Sequence, residues 1–378
     1  MALMASLTAC GGNSSNSEGS SNNGGNSAKL STKPKLTGQS ESYNISGQPI
    51  DSTSGVIKDD GFYKTGVSPN YTRDDTTGIV TDHNTGLQWQ DNSAVGKNGK
   101  QWITYTWYTG KDYFNTSGDT ATTYCNNLSL GGHNDWSLPT YSELSGTEPR
   151  WAKSPFKYAH KAWFWTRSST KLSDQIKKEL SDAEIKKFEA QLDTKALMYS
   201  RVFSNSGLRR KDSGASIRCV RAGASLPTPK FTRNASNVIT DSNTKLQWQD
   251  QYLDAQKDLN WTQALDYCEA LSLDNHSDWR LPNINELESI MDRTVIPSVD
   301  TNTFTTIKKL LTIVYWSSTS SYFEELFYAA GTPFRPEPKL ALVATPSVGR
   351  WSAARKSYVA SNRQNATHIL AQCVRGGK

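Results

Sequence analysis

The sequence has no long hydrophobic run. No stretch approaches the ~18 consecutive apolar residues of a membrane-spanning helix, and the mean hydropathy is −0.64. It also lacks the Gly-x-Ser-x-Gly, His-Glu-x-x-His and phosphate-binding glycine motifs that mark common enzymes. These absences predict a chain without a transmembrane helix, without catalytic activity and without a cofactor.

Cysteine is scarce, with five in 378 residues and no Cys-x-x-Cys pair, which argues against zinc and dithiol redox chemistry. Four of the five fall as one pair in each half of the chain, namely Cys125 with Cys219 and Cys268 with Cys373. This arrangement favours an exported protein with one disulfide in each half. The alternative is four buried free thiols.

The N-terminus carries a different signal. Its first ten residues, MALMASLTAC, resemble a bacterial lipobox that ends at Cys10, although a basic n-region is missing and the apolar stretch is short. We therefore assign residues 1–10 as a truncated lipoprotein signal with lipidation at Cys10; a chance match is the alternative. Residues 11–35, rich in Gly, Ser and Asn at their start, are predicted to form a disordered tether.

The rest of the chain contains an internal repeat. The motif T-D-x-N-T-x-L-Q-W-Q-D begins at Thr81 and again at Thr240, and the block Cys125–Leu144 recurs 143 residues later. Two shorter blocks, F-W-T-R-S-S-T with Y-W-S-S-T-S-S and I-R-C-V-R-A-G with A-Q-C-V-R-G-G, follow in the same order. The repeat predicts two tandem domains over residues 36–224 and 228–378.

Local patterns predict an α+β, loop-rich fold for each domain. The Asx-rich turns after Thr81 and Thr240 predict hairpins. Asn260 is a predicted N-cap of a helix that carries Cys268, and capping boxes or close variants begin at Thr140 and Asn283. The first domain alone carries an insertion, 171–197, whose apolar stripes predict two short amphipathic helices. The matching interval of the second domain, Phe323–Pro338, is rich in Pro and aromatic residues, which excludes long helices there.

The order of these blocks resembles the Lcl C-terminal-like domain family of bacterial exported proteins. The matching residues are Thr81–Trp89, Cys125, Asp135–Leu144 and Cys219–Gly223, and again Thr240–Trp248, Cys268, Asp278–Leu287, Trp316–Thr319 and Cys373–Gly376. The resemblance implies a C-type-lectin-like fold and no catalytic residues. Through the collagen-like adhesin that gives the family its name, it also implies surface attachment and binding of sulfated glycans.

Two kinds of residue in the second block suggest a metal site. Asp135 and Asp278, each beside a Trp, are similar to part of the calcium site of many C-type lectins. The loops that would complete six to eight oxygen ligands are missing. We therefore predict that each Asp caps a turn, that His133 and His276 are loop histidines, and that no metal is bound.

The basic residues suggest a ligand. The C-terminal part of the second domain carries eight basic residues against one acid from Arg335 onward, and the first domain has a smaller cluster. Arg matches sulfate bidentately and aromatic rings stack on sugars. The predicted ligand-binding residues are Arg350, Trp351, Arg355, Lys356, Tyr358, Arg363, Arg209, Arg210 and Lys211. The alternative is a solvated face that keeps the protein soluble.

These patterns predict a non-catalytic extracytoplasmic lipoprotein on the outer membrane or cell surface. Its predicted partner is a polyanionic glycan or surface carbohydrate, in adhesion or biofilm, with membrane contact through the lipid anchor only and no nucleic acid. The alternative function is self-assembly by protein–protein contacts into a surface layer or filament.

Overall fold

The computed structural model describes residues 33–92, 120–147, 154–158, 163–199, 207–212, 214–222, 229–251, 258–306, 314–321, 337–345, 350–357 and 369–377. Three parts are named below: the leader segment (33–70), domain 1 (71–222) and domain 2 (229–377). Cys10 and residues 11–32 of the predicted tether lie outside the described residues, as does most of the Pro- and aromatic-rich interval of domain 2. The predicted end of the tether at residue 35 is wrong, because Lys35 forms a β-bridge with Val67 and a hydrogen bond to Asp82. Within the described ranges, no helix is both long and apolar enough to cross a membrane.

The leader segment and domain 1 contain short elements. In the leader segment these are β1 (Ser42–Tyr43), β2 (Pro49–Ile50) and α1 (Asp60–Tyr63). Those of domain 1 are β3 (Tyr71–Asp74), β4 (Ile79–Asp82), β5 (Gln88–Gln90), α2 (Ala121–Asn126), α3 (Tyr141–Ser145), β6 (Phe164–Trp165), β7 (Lys171–Leu172), α4 (Asp174–Lys177), α5 (Asp182–Asp193), β8 (Lys195–Tyr199), β9 (Gly207–Arg210) and β10 (Val220–Arg221).

Domain 2 repeats this order without the helical insertion and with two further short strands. Its elements are β11 (Phe231–Arg233), β12 (Val238–Asp241), β13 (Gln247–Gln249), α6 (Trp261–Glu269), α7 (Ile284–Ser289), β14 (Val295–Ile296), β15 (Val314–Ser321), β16 (Glu337–Thr345), β17 (Arg350–Arg355), β18 (Ile369–Leu370) and β19 (Val374–Arg375). The two further strands are β14 and β18. The mixture of helix and sheet in two tandem domains confirms that part of the predicted fold class.

Each domain has a first sheet and a second sheet. The first sheet is antiparallel, with strand order β10-β5-β4-β3 in domain 1 and β11-β12-β13-β19 in domain 2. The second sheet is β6-β8-β9 in domain 1 and β17-β16-β15-β18 in domain 2. Because the C-terminal strand of each domain pairs with the strand that carries the Leu-Gln-Trp motif, the two ends of each repeat meet in one sheet.

The predicted hairpins and helix starts are confirmed. The Asp82 carboxylate accepts hydrogen bonds from the amide of Asn84 and the hydroxyl of Thr85, which fixes the turn between β4 and β5. Capping boxes begin α3, α5, α6 and α7 at Thr140, Ser181, Asn260 and Asn283. Each supplies partners for amide groups that the first helical turn leaves unpaired.

The predicted disulfides are present and lie in the core. Cys125 bonds to Cys219 and Cys268 to Cys373, and all four residues are fully buried. Each bridge ties the first helix of a domain to the segment that leads into its last strand. Trp89 and Trp248 are equally buried on the other side of the first sheet, against the segments around α3 and α7.

The insertion of domain 1 contains the two predicted helices, α4 and α5, but it begins as a strand. That strand, β7, pairs in parallel with β14 of domain 2. The Thr170 hydroxyl donates to the carbonyl of Arg293 at 2.8 Å, and the Arg293 guanidinium lies 4.6 Å from the centre of the Tyr141 ring. The insertion therefore joins the two domains.

The leader segment packs against domain 2, although the sequence prediction placed residues 36–70 in domain 1. The side-chain amide of Asn283 donates to the Thr65 carbonyl at 3.0 Å, and the backbone amide of Ser320 donates to the side-chain oxygen of Gln39 at 2.8 Å. Lys35 at its start contacts domain 1, because its ammonium donates to Asp82 at 2.6 Å. The leader segment therefore bridges both domains and covers part of the second.

The leader segment and β14 cover equivalent surfaces. In domain 1 the amide of Tyr141 donates to Ser168, and in domain 2 the amide of Ile284 donates in the same way to Thr319. We call this region, the start of α3 or α7 with the adjoining Ser/Thr segment, the helix-start face. In domain 1 it is contacted by Arg293 of domain 2, and in domain 2 by the leader segment.

Candidate functional site

A hydrogen-bonded ladder crosses the outer side of the first sheet in both domains. In domain 1, Arg221 donates from Nε to Asp135 at 2.6 Å and from Nη1 to the side-chain oxygen of Gln88. The Gln88 amide in turn donates to Thr81. The equivalent ladder of domain 2 consists of Asp278, Arg375, Gln247 and Thr240.

The ladder explains the Asp-Trp and Cys-Val-Arg blocks. The hydrogen bonds from Arg221 and Arg375 hold the pKa values of Asp135 and Asp278 below their ordinary range. Both carboxylates are thus committed to an arginine that lies 86 or 97 residues away in the chain. Across the described part of the chain, no group of three or more His, Cys, Asp or Glu is placed to hold a metal ion.

The two loop histidines contribute to the fold through their backbones. The His133 carbonyl accepts a hydrogen bond from the indole of Trp136, and His276 does the same for Trp279. Each histidine also forms an isolated antiparallel bridge, His133 with Leu130 and His276 with Leu273. Each loop is therefore closed by backbone hydrogen bonds and fixed to a core tryptophan.

Two of the predicted ligand-binding residues are buried and need correction. Strand pairing places Arg210 opposite Lys195 and Arg355 opposite Leu340, which makes Lys211 and Lys356 equivalent residues just after β9 and β17. Lys211 is 1% exposed and Lys356 is fully buried. Neither lysine is accessible to a polymer.

Lys356 instead fixes the leader segment to domain 2. Its ammonium donates to the carbonyl of Tyr43 at 3.0 Å and to the Ser320 hydroxyl at 2.8 Å, and lies 3.7 Å from the centre of the Trp261 ring. Burial lowers its pKa to about 7. The cation–π contact and the two oxygen acceptors compensate part of the lost hydration of the charged form.

Acidic residues of the leader segment are buried beside it. Asp59 accepts hydrogen bonds from Ser42 at 2.6 Å and from Gln39 at 2.9 Å, and burial raises its pKa. Asp60 accepts from the hydroxyls of Thr37 and Thr319, and burial raises its pKa to about 7. We call Asp59, Asp60 and Lys356 the buried charge cluster.

A buried ion pair of domain 2 adjoins this cluster. Arg280 donates to both oxygens of Glu286, at 2.7 Å and 2.6 Å, and both side chains are about 2% exposed. The same Glu286 accepts a hydrogen bond from the backbone amide of Asn283, whose side-chain amide donates to Thr65 of the leader segment. The ion pair therefore fixes the helix start to which the leader segment is attached.

The exposed basic residues among the predicted set are Arg209, Arg210 and Arg355. The guanidinium of Arg209 lies 4.8 Å from the centre of the Trp163 ring. Arg210 is paired with Asp212, which holds the pKa of that carboxyl below its ordinary range. Domain 2 has no equivalent of the Arg209 stack, because Ala354 occupies that position opposite Ala341, as Arg209 lies opposite Ala196.

The structure does not describe the side chains of the remaining predicted ligand-binding residues. Arg350 and Trp351 belong to strand β17, but their side chains lie outside the description, and Tyr358 and Arg363 lie outside the described residues. The described basic surface is therefore mainly that of domain 1, whereas the sequence prediction gave more weight to domain 2.

Sequence reasoning missed one difference between the domains at a turn before the Asp-Trp pair. Gly131 of domain 1 corresponds to Asp274 of domain 2, and both have left-handed backbone conformations, with φ of +61° and +56°. The difference is visible in the sequence, because the repeated block that begins at Cys125 contains Gly-Gly where its counterpart in domain 2 contains Asp-Asn.

Comparison with known proteins gives a match to one family. Residues 78–221 and 237–374 each match the family described as the Lcl C-terminal domain, which confirms the tandem arrangement. A search of curated proteins gives no match.

Proposed function

We propose, for a chain that belongs to the Lcl C-terminal domain family and carries that domain twice, a non-catalytic role in binding anionic polysaccharide at the cell surface. The observation that carries the proposal is the exposed Arg209, whose guanidinium lies over Trp163. This pair combines a fork that matches sulfate geometry with an aromatic ring. The same side chains would contact a charged group and the adjoining sugar of one polymer.

The neighbouring charges support the same ligand class. Arg210 follows directly and is exposed, and its partner Asp212 is also exposed. An exposed ion pair contributes little, about 0–1 kcal/mol, so a polyanion can compete with Asp212 for Arg210. Arg355 provides the equivalent exposed charge in domain 2.

The test is binding of a heparin-like polymer at increasing salt concentration. Each neutralised contact releases condensed counterions, so affinity should fall steeply with salt. The double variant Arg209→Ala with Arg210→Ala should weaken binding several-fold and flatten the salt dependence. Arg355→Ala alone should have a smaller effect, because Ala354 replaces the stacked arginine.

A matched control removes the same charge elsewhere. Lys186 and Lys187 are exposed on α5, so their double alanine variant loses two positive charges without changing the Arg209 surface. If this control weakens binding as much as the arginine variant, net charge alone governs binding and the proposed site is wrong.

We also propose a C-type-lectin-like fold for each domain and an extracytoplasmic location on a lipid anchor at Cys10. The two core disulfides support an oxidising compartment. Precursor expressed with its own signal should partition into detergent, and the Cys10→Ser variant should not. Equal partitioning of both forms would contradict the anchor.

A second candidate function is assembly of chains into a surface layer. Phe188 favours it, because this large apolar side chain is 45% exposed on α5, within an insertion that only domain 1 carries. Sedimentation velocity over a range of concentrations tests this function. Self-association that Phe188→Ser abolishes would support it, and a concentration-independent monomer would exclude it.

A further inference from the structure

An open groove lies on the outer side of the first sheet of domain 1, apart from the Arg209 surface. Its volume is about 360 Å³, near the lower end of the range of about 300–1,000 Å³ for small-molecule sites. Its lining is mainly polar and includes Thr72, Asp74, Thr81, Gln88, Gly131 and His133. We call it the domain 1 groove.

The polar groups of the groove are held in place by their neighbours. The Thr72 hydroxyl hydrogen-bonds with the ring of His83 at 2.9 Å. Asp74 accepts from the amide of Thr76 at 2.8 Å and from the hydroxyl of Thr77 at 2.7 Å. Gln88 is fixed between Arg221 and Thr81 by the ladder. Groups oriented in this way lose little conformational entropy when a ligand binds.

The charged residues of the lining disfavour an anionic ligand. Arg73 is the cation of the groove wall, and it is already paired with Asp91 at 3.0 Å and with Asp75. Asp74 adds a negative charge beside it. The groove therefore favours a neutral ligand with several hydroxyl groups over an anionic one, because hydroxyls can donate to Asp74 and accept from Gln88.

In domain 2, two residues equivalent to groove-lining residues of domain 1 bond to each other. Asp274, which replaces Gly131, accepts a hydrogen bond at 2.7 Å from the amide of Asn234, which replaces Asp74. In domain 1 a Cβ on Gly131 would overlap the Cδ1 atom of Ile79. In domain 2 the residue equivalent to Ile79 is Val238, which has no Cδ1 and leaves room for the Asp274 side chain.

We propose that the domain 1 groove binds one residue of a neutral saccharide, and that Asp274 occupies the matching position in domain 2. Thr72, Thr81, Gln88 and His133 would hydrogen-bond the sugar hydroxyls, and the surface between Ile79 and Gly131 would contact its C–H groups. The inference extends the proposed carbohydrate-binding function, but it concerns a different site and an uncharged ligand. Binding should accordingly be insensitive to salt.

The experiment transfers the domain 2 arrangement into domain 1 of the full chain. Asp74→Asn with Gly131→Asp and Ile79→Val reproduces the Asn234–Asp274 bond, and it should reduce binding to an array of neutral oligosaccharides containing glucose, galactose or N-acetylglucosamine at least about tenfold, because the introduced side chains bond to each other and not to the ligand. Wild-type binding should be unchanged between about 50 mM and 500 mM salt. Equal binding by wild type and this triple variant would overturn the proposal.

Two further variants separate loss of the site from loss of the fold. Gly132→Asp adds the same side chain at a neighbouring left-handed residue whose Cβ would meet nothing within 4 Å, and it should bind like wild type. Thr81→Val keeps the shape of a strand residue, removes one hydroxyl, and should weaken binding several-fold with an unchanged melting temperature.

The outcomes also separate this inference from the proposed function. If no neutral saccharide binds while a heparin-like polymer still binds through Arg209, the groove proposal fails and the proposed function stands. If neutral saccharides bind and the polymer does not, the groove stands and the anionic ligand class is wrong. If neither binds, both are wrong.

Discussion

Domain 1 and domain 2 share one scaffold but differ in what covers it. Both use the same ladder, the same capping boxes and the same disulfide, which lie where the four repeated blocks meet. Their helix-start faces are contacted by different partners, β14 and its neighbours in one case and the leader segment in the other. The duplicated residues maintain the fold, and the surfaces differ because each domain has different neighbours.

The comparison also identifies two surfaces at which the domains differ in the residues that could bind a ligand. The Arg209 stack and the open groove both belong to domain 1, and their counterparts in domain 2 are Ala354 and Asp274. Domain 2 has instead the buried charge cluster with the leader segment. Both proposed binding sites therefore lie in domain 1, whereas domain 2 holds the leader segment.

The largest expected effect comes from removing a disulfide. Replacing Cys125 and Cys219 by Ala, or Cys268 and Cys373 by Ala, should each cost about 2–5 kcal/mol of unfolding free energy. The closed loops span 94 and 105 residues, so loop entropy predicts costs that agree within about 0.1 kcal/mol. Hydrogen exchange resolved by domain measures each. A clearly smaller loss in domain 2 would show that the leader segment compensates there.

The next effect concerns attachment of the leader segment. Gly61 is buried in α1, and a Cβ there would lie 2.7 Å from the backbone nitrogen of Ser42 and would overlap the carbonyl of Glu41. Gly61→Ala should therefore destabilise the leader segment by about 1–3 kcal/mol, because overpacking against backbone cannot relax easily. Limited proteolysis should show faster cleavage within residues 33–70 and increased exchange in domain 2.

Gly146→Ala is the matched control for that variant. Its Cβ would meet the carbonyl oxygen of Ser142 at 3.5 Å, an ordinary contact, and its φ of −80° suits any residue. It should leave proteolysis of the leader segment unchanged. If Gly61→Ala behaves like this control, the leader segment does not depend on the tight packing of α1.

A smaller effect should appear as a pH dependence of the contact between the leader segment and domain 2. The pKa of Asp60 is raised from 3.8 to about 7 by burial, so the folded protein keeps a proton that the unfolded chain releases. The stability contributed by this group is full below about pH 4 and is lost as pH rises through about 7. In Asp60→Asn, the side-chain oxygen can still accept from Thr37 and Thr319, but the group does not titrate.

The measurement is the unfolding midpoint of both proteins from about pH 4 to pH 8. Asp60→Asn should match wild type at the acidic end and become relatively more stable as pH rises. Asp193→Asn, which removes an exposed carboxylate of α5, should follow the wild-type profile. Parallel curves for wild type and Asp60→Asn would show that Asp60 is ionised throughout.

Local signals allowed much of this fold to be predicted from the sequence. The repeat predicted the disulfide pairs, and the capping residues Thr140, Asn260 and Asn283 predicted where three helices begin. The position of Lys356 could not be predicted, since its burial depends on Tyr43 and Trp261, which are remote in the chain. Docking of the leader segment on domain 2 depends on similar side-chain hydrogen bonds between residues that are distant in the chain. The spacing of apolar residues in the sequence does not indicate such bonds.

The smallest effect tests whether the ladder is equivalent in the two domains. Asp135→Asn and Asp278→Asn each remove a carboxylate that pairs with an arginine, and these carboxylate side chains are 59% and 54% exposed. Exposed ion pairs contribute about 0–1 kcal/mol, so both variants should lose little and equally. Because Arg221 and Arg375 still bind Gln88 and Gln247, neither arginine loses all its partners. A loss of unfolding free energy well above about 1 kcal/mol in one domain alone would mean that the two ladders do not stabilise their domains equally.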